Sequence, residues 1–449
     1  MPEESEVQSE LGLSLAPPDR ARLTLPRFLE DVAGRFQGRV AIRFGGDDWR
    51  FEDVGDEARR WARGLIALGV EPGDRVAILL SNRPEWAVAL FAASQVGAIA
   101  VPINTFATPD ERDYILDHAG ARVLLMQRHL AGRDFVAELG NSHPALSDSS
   151  ASTLELPELP DLRHIVCLEE DSLPNGFIAR SAFVGAGRSD FDARIEKAVA
   201  AITPETSGLL IYTSGTTDRP KGVLHAHQAA VIQSWRFAEI LDLSEDDIVF
   251  TAQPFFWTAG ICMSLGATMA VGARLLLQET FSPEAALDCV ERERATTVHA
   301  WVHQEKAMAE HPSAADRDFS ALHRIEFDSP LAPLAGLEED VWGIHASYGL
   351  TETFTLSAAL PTWASAQDRT GNSGRPLPGM QIRIVDPESG TVRPAGQSGE
   401  IAVRGVTLMQ GYWKVPTENV LDEDGFFHTG DGGRLDEAGL LHWTGRLSG

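Results

Sequence analysis

The chain has 449 residues, 43% hydrophobic and 23% charged, the balance of a soluble globular protein long enough for two or three subdomains. Against 38 Lys and Arg stand 65 Asp and Glu, a net charge of −27, which disfavours nucleic acid and anionic membrane surfaces as partners. Cys167, Cys262 and Cys289 are widely spaced and fit neither a disulfide framework nor a metal cluster; they are expected as buried reduced thiols of a cytoplasmic protein.

Residues 1–20 are acidic and Pro-containing and read as a flexible tail without a secretory pattern. From Leu23 an α/β rhythm begins. Val40–Phe44 and Trp49–Phe51 flank Gly45-Gly46-Asp47-Asp48, a β-hairpin pattern. Val54, Ala58, Trp61, Ala62, Leu65 and Leu68 recur at helical spacing ahead of Gly69, which suits a C-cap. Val76–Leu80, Ala98–Val101 and Val123–Met126 read as strands. The most apolar stretch, Trp86–Ile103, holds Ser94, Gln95, Gly97 and Pro102, so it predicts a buried helix running into a strand rather than a membrane span. The Ser/Pro/Glu-rich block from Asn141 to Pro160 predicts an exposed loop.

A second α/β unit starts near Ile202. It predicts a helix over 226–241, strands at Ile248–Phe250, Leu275–Leu277 and Thr297–His299, and helices from Ala259 and Pro283. After Arg375, short alternating runs with Gly and Pro between them predict antiparallel β, a small barrel or sandwich. The expected fold is α/β. Two doubly wound subdomains, 21–200 and 201–374, pack together, and a small antiparallel β-barrel subdomain follows over 375–449.

The most informative stretch is Ile211–Val223, IYTSGTTDRPKGV. An apolar strand, Gly208–Tyr212, breaks into Thr213, Ser214, Gly215, Thr216, Thr217 and Asp218, and then Arg219-Pro220-Lys221-Gly222. Small residues let backbone N–H groups approach a polyphosphate closely. The hydroxyls add donors and Lys221 adds a positive charge. The spacing is not that of a Walker loop, and a Gly/Ser/Thr run is in other settings only a surface turn.

This segment resembles the phosphate-loop signature of the adenylate-forming superfamily, which includes acyl-CoA synthetases, firefly luciferase and peptide-synthetase adenylation domains. Asp218 stands where the family usually has Gly. Further resemblances follow in the family's order: Tyr348-Gly349-Leu350-Thr351-Glu352-Thr353, Gly399-Glu400 through Gly411-Tyr412-Trp413, Phe426-Phe427-His428-Thr429-Gly430-Asp431, and Gly445-Arg446. The resemblance implies ATP-dependent activation of a small-molecule carboxylic acid as acyl-adenylate, with Mg²⁺ as metal and CoA as the acceptor.

Carried over residue by residue, it implies an ATP site of Thr213, Ser214, Gly215, Thr216, Thr217, Lys221, Ser329, Tyr348, Gly349, Thr351, Asp431 and Arg446. Tyr348 would lie against adenine, Thr351 would bond the α-phosphate, Glu352 would hold Mg²⁺, and Asp431 and Arg446 would reach the ribose. Lys221, Thr351 and Glu352 form the implied catalytic set. His227, Trp257, Gly260, Trp301, Tyr348 and Gly349 form the implied acyl pocket. The Gly411-Tyr412-Trp413 segment reads as mainly structural.

Two departures stand out. Pro254-Phe255-Phe256-Trp257 replaces the family's P-x-F-H, putting Trp257 in place of a pocket His; with Trp301, two tryptophans would suit a cyclic or flat acid, while buried Trp is also ordinary core. Phe327-Asp328-Ser329-Pro330-Leu331 stands for a Gly-Gly-Ala-Pro adenine segment. In relatives a small C-terminal domain with a further lysine, distinct from Lys221, follows the position of Arg446. The expectation is therefore a large N-terminal portion that turns over poorly alone. The alternatives are an amino-acid adenylation domain, against which Trp257 argues because those relatives place an Asp there, and a nucleotide- or acyl-binding pseudoenzyme. The family resemblance also admits a homodimer.

Overall fold

The computed structural model describes residues 19–150, 154–213 and 219–447; nearly all of the expected tail lies outside the described residues. The chain opens with helix Leu25–Arg35 and the hairpin Val40–Phe44/Asp47–Arg50. The hairpin turn is only Gly45-Gly46, with φ of 60° and 93°, the left-handed pair that a two-residue turn matching strand twist requires. Asp47 and Asp48 therefore belong to the returning strand, where Asp48 faces Arg43 across the ladder. Helix Phe51–Ala67 follows at once and ends at Gly69 (φ 75°), whose N–H bonds Ile66 O while Val70 N–H bonds Leu65 O.

The larger sheet has eight strands in the order Gly411–Tyr412, Lys221–Ala226, Ser207–Thr213, Ile99–Pro102, Arg75–Leu79, Ala121–Met126, His164–Cys167 and Phe177–Ala179. From Ser207–Thr213 onward the pairings are parallel; the first two strands join antiparallel. A five-stranded sheet runs Thr297–His299, Ile248–Thr251, Arg274–Leu277, Val40–Phe44 and Asp47–Arg50. Both sheets draw strands from either side of residue 200.

Side-chain alternation explains the layering. Along Arg75–Leu79, Val76 and Ile78 join one core while Ala77 and Leu79 join another, the period-two division of a strand buried on both faces. The first core lies between the sheets and also holds Ile42, Leu275 and Leu277 of the smaller one. Its middle is helix Pro84–Gln95, buried along its whole length, as its continuous apolar pattern requires. Each large side chain it buries, such as Trp86 or Phe91, contributes about 1.5–3 kcal/mol. Among the described residues, no helix is long and apolar enough to cross a membrane.

The block at 141–160 is not the exposed loop its composition suggested. Leu146, Leu154, Leu156 and Leu159 are buried in the outer core of the eight-stranded sheet, and Pro144–Asp148 forms a short 3₁₀ turn. Spaced leucines outweigh a polar average because only they need to reach the core. The helix expected from Ala259 begins as a π-helical stretch, Gly260–Gly266. A Cβ on Gly260 would meet Pro254 O at 2.0 Å and one on Gly266 would meet Ser234 Oγ at 2.0 Å, so both glycines are imposed by close packing. Beyond residue 375 the strands Met380–Val385, Gly399–Gly405, Phe427–Leu435 and Leu441–Arg446 form an antiparallel sheet in chain order; its ladder is an open row rather than a closed barrel.

Candidate nucleotide and acyl site

Ser207–Thr213 and Lys221–Ala226 form an antiparallel hairpin in which Thr213 lies opposite Lys221. The run between them includes Ser214, Gly215, Thr216, Thr217 and Asp218, which lie outside the described residues. The hairpin nevertheless fixes both ends of that run. Its returning strand also pairs with Gly411–Tyr412, Val223 opposite Tyr412, which brings the Lys221 ammonium to 5.4 Å from the Tyr412 ring centroid, within cation–π range.

Tyr412 connects this strand to the second motif. Its hydroxyl donates to Glu352 Oε1 at 2.6 Å. Glu352 sits on the short turn Thr351–Thr353, and its carbonyl accepts from Met409 N–H at 2.7 Å. Leu350 precedes that turn as its cap. The turn closes tightly: Phe354 and Thr355 have φ of 50° and 90°, and a Cβ on Gly349 would fall 1.6 Å from Thr355 O. Only glycine fits at 349, which explains the Tyr-Gly pair.

Tyr348 is buried and donates from its hydroxyl to Asp431 Oδ2 at 2.7 Å. Asp431 lies opposite Arg446 in the ladder between Phe427–Leu435 and Leu441–Arg446, and Arg446 Nε approaches Asp431 Oδ1 at 3.2 Å while its Nη1 donates to Thr429 O at 2.8 Å. Burial pushes both phenols, Tyr348 and Tyr412, above the usual tyrosine range, and the neighbouring Asp431 and Glu352 add to it; both remain protonated donors. A groove of about 510 Å³ is lined by Lys221, Glu352, Glu400, Tyr412, Gly430 and Arg446, among others. Two cations, Lys221 and Arg446, thus face the groove together with two carboxylates, Glu352 and Glu400.

The aromatic residues meet elsewhere. Trp257 and Trp301 are in edge-to-face contact, ring centroids 5.7 Å apart, on the wall of a separate cleft of about 290 Å³. Gly260 packs beneath Pro254, which lines that cleft. Four residues expected in the acyl pocket, Gly260, His227, Tyr348 and Gly349, do not line this cleft. Tyr348 points its hydroxyl to Asp431, and Gly349 adjoins Thr355. His227 is wholly buried at the start of helix His227–Ile240, where its Nδ1 accepts from Leu25 N–H at 3.3 Å. A histidine at a helix start on an apolar face is core here. Ser329 is also apart from the groove: its hydroxyl donates to Glu305 Oε2 at 2.6 Å, beside the exposed ion pair of His345 with Asp328 at 3.1 Å.

The structure thus brings Lys221, Glu352 and Arg446 to one groove, with Tyr348 and Asp431 attached through Arg446. Tyr412 belongs to that group and was read from the sequence only as part of a structural segment. The available signal was its phenol tip on a half-buried strand residue, since a tyrosine hydroxyl taken out of water needs a partner.

The AMP-binding enzyme family model matches residues 29–413. The 3-[(3aS,4S,7aS)-7a-methyl-1,5-dioxo-octahydro-1H-inden-4-yl]propanoyl:CoA ligase of Mycobacterium tuberculosis is 32% identical over 433 residues, covering 94% of this chain and 79% of that protein. Feruloyl-CoA synthase of an Amycolatopsis species is 32% identical over 421 residues, covering 91% and 75%. Among solved structures, the long-chain-fatty-acid-CoA ligase FadD1 of Archaeoglobus fulgidus superposes with a TM-score of 0.77 at 22% identity, over 97% of this chain and 86% of that one, a likeness of fold.

Proposed function

The chain belongs to the AMP-binding enzyme family, and we propose that it activates an organic carboxylic acid with ATP as the acyl-adenylate and passes the acyl group to CoA. Relatives named as CoA ligases and synthases over more than nine-tenths of the chain support this reading. The observation that carries it is the convergence of Lys221, Glu352 and Arg446 on one groove, next to the Tyr348–Asp431 pair.

In the proposed reaction a carboxylate oxygen attacks the α-phosphorus of ATP, and pyrophosphate leaves. The CoA thiol then attacks the acyl carbon and AMP leaves with the carboxylate-derived oxygen. Lys221, together with Thr213 and the run after it, holds the polyphosphate; Thr351 bonds the α-phosphate. Asp431 accepts from the ribose hydroxyls while Arg446 holds that carboxylate in place, and Tyr348 flanks the base. Glu352 would hold a Mg²⁺ ion: the Tyr412 hydroxyl fixes one of its carboxylate oxygens, and the other suits a hard cation. Such an ion offsets polyphosphate charge. The protein's own contribution is positioning and charge stabilisation.

Acid-dependent exchange of labelled pyrophosphate into ATP tests this. We expect exchange in the wild type and at least a tenfold loss in Glu352→Gln and Thr351→Ala. Equal exchange in all three proteins would refute the assignment.

A further inference from the structure

Four aromatic rings form a continuous wall in the 290 Å³ cleft. Phe106 meets Phe256 at 6.0 Å and 81°, Phe256 meets Trp257 at 5.2 Å and 75°, and Trp257 meets Trp301 at 5.7 Å and 79°. Each contact is edge-to-face, the geometry in which a ring's positive edge meets its neighbour's negative face. The rings come from three distant segments: the loop before helix Pro109–Ala119, the connection after strand Ile248–Thr251, and the start of helix Val302–Ala309. Yet Phe106, Trp257 and Trp301 remain 72%, 39% and 40% exposed. Large aromatic surface that converges from three segments and stays uncovered marks a binding surface rather than core.

From this wall we infer that the acid activated is a flat, ring-bearing carboxylic acid of one or two rings, seated with its ring against Trp257 and Trp301; the inference rests on the carboxylate-activating reading above. The size agrees. An apolar cavity of about 150 Å³ takes up benzene, and this cleft of about 290 Å³ holds a fused pair of rings or one ring with a short side chain. The charge agrees as well. Glu279 lines the cleft, held by Gln127 Nε2 at 2.9 Å and the Ser81 hydroxyl at 3.4 Å and paired with Arg83 Nη1 at 3.5 Å; no unpaired cation among the described lining residues draws a carboxylate to this wall, so the ring is the part accepted against it. A straight chain of equal carbon number forms no ring–ring contact and gives up more rotational freedom on binding.

The test is isothermal titration of the whole chain with carbon-matched pairs: trans-cinnamate against nonanoate, and 2-naphthylacetate against dodecanoate. We expect each ring acid to bind at least about tenfold more tightly than its partner. Trp257→Ala and Trp301→Ala should shrink that ratio at least about threefold, and Trp257→Phe and Trp301→Phe should restore most of it. Straight-chain acids binding as tightly as ring acids, or a ratio unmoved by both alanine variants, would overturn the inference. If an alanine variant fails to fold by circular dichroism, the wild-type ratio decides alone. Pyrophosphate exchange is scored separately. Ring acids that bind through the tryptophans without supporting exchange would refute adenylation and leave standing only the preference of the cleft for ring acids; exchange with straight-chain acids alone would overturn the inference and leave adenylation standing.

Discussion

The Tyr412 hydroxyl and the Glu352 carboxylate, 60 residues apart in sequence, lie 2.6 Å apart in space. The strand pairing of Tyr412 with Val223 is what carries the phenol there, so the position of Glu352 depends on the same strand that presents Lys221. A hydrogen bond to a charged group contributes about 1.5–3 kcal/mol. Tyr412→Phe should therefore keep the fold but lower pyrophosphate exchange about tenfold, with the Mg²⁺ concentration for half-maximal exchange shifted upward. Exchange assayed across a Mg²⁺ titration checks this; an unchanged midpoint and rate would mean that Glu352 needs no support from Tyr412.

Gly349→Ala places a methyl group 1.6 Å from Thr355 O, and Thr355 already sits at φ 90°. The backbone on one side must move, carrying Tyr348 or Thr351 with it. The variant should be less stable by about 1–3 kcal/mol, the usual penalty of overpacking. It should also lack the rise in melting temperature that ATP is expected to give the wild type by mass action. Thermal melts with and without ATP measure both.

Acid should destabilise the fold steeply below neutrality. Burial pushes His225 down to about 3, and His227 and His299 down to about 4, from the ordinary 6.5. Their folded-state values lie below the unfolded one, so the unfolded chain takes up protons that the folded chain refuses. Their contribution is complete above pH 6.5 and is lost as pH falls from 6.5 toward 4. Each removes up to about 1.4 kcal/mol per pH unit within that window. Urea unfolding at pH 7.5, 6 and 5 should show the midpoint falling at each step, and a flat profile would contradict neutral buried imidazoles.

The thiols should be silent. Burial pushes Cys167 and Cys262 up to about 12 and Cys289 up to about 11, and all three are buried and unbridged. Since the thiolate is the reacting species, a chromogenic disulfide reagent at pH 7.5 should titrate none in the native protein and three in denaturant. Rapid labelling of the folded chain would show an open path to one of them.

What could be read from residue order alone was whatever repeats at short range. The parallel strands announced themselves as apolar runs, the buried helix as the apolar stretch from Trp86, and the hairpin as two short runs flanking Gly45-Gly46-Asp47-Asp48. Lys221, Glu352, Asp431 and Arg446 could be singled out because each sits in a short motif that resembles a family signature. Other features depended on distant partners. His227 looked like a pocket residue until Leu25, from the far end of the chain, was found against its ring. Tyr412 looked structural because Glu352 is not its neighbour in sequence. The buried leucines of the 141–160 block were masked by the polar residues between them. The apposition of Trp257 with Trp301 was suggested by order only loosely, since their contact depends on how two strand ends meet.

The strand Lys221–Ala226 has a further consequence for how the protein is made. Its outer edge is paired by Gly411–Tyr412, which the ribosome supplies long after the hairpin itself is complete. Throughout that interval a row of backbone donors and acceptors on this strand stands open to any neighbouring nascent chain. The surplus of carboxylates, a net −27, sets copies of this chain against one another by mutual repulsion, which opposes pairing along that open edge while the chain is being made.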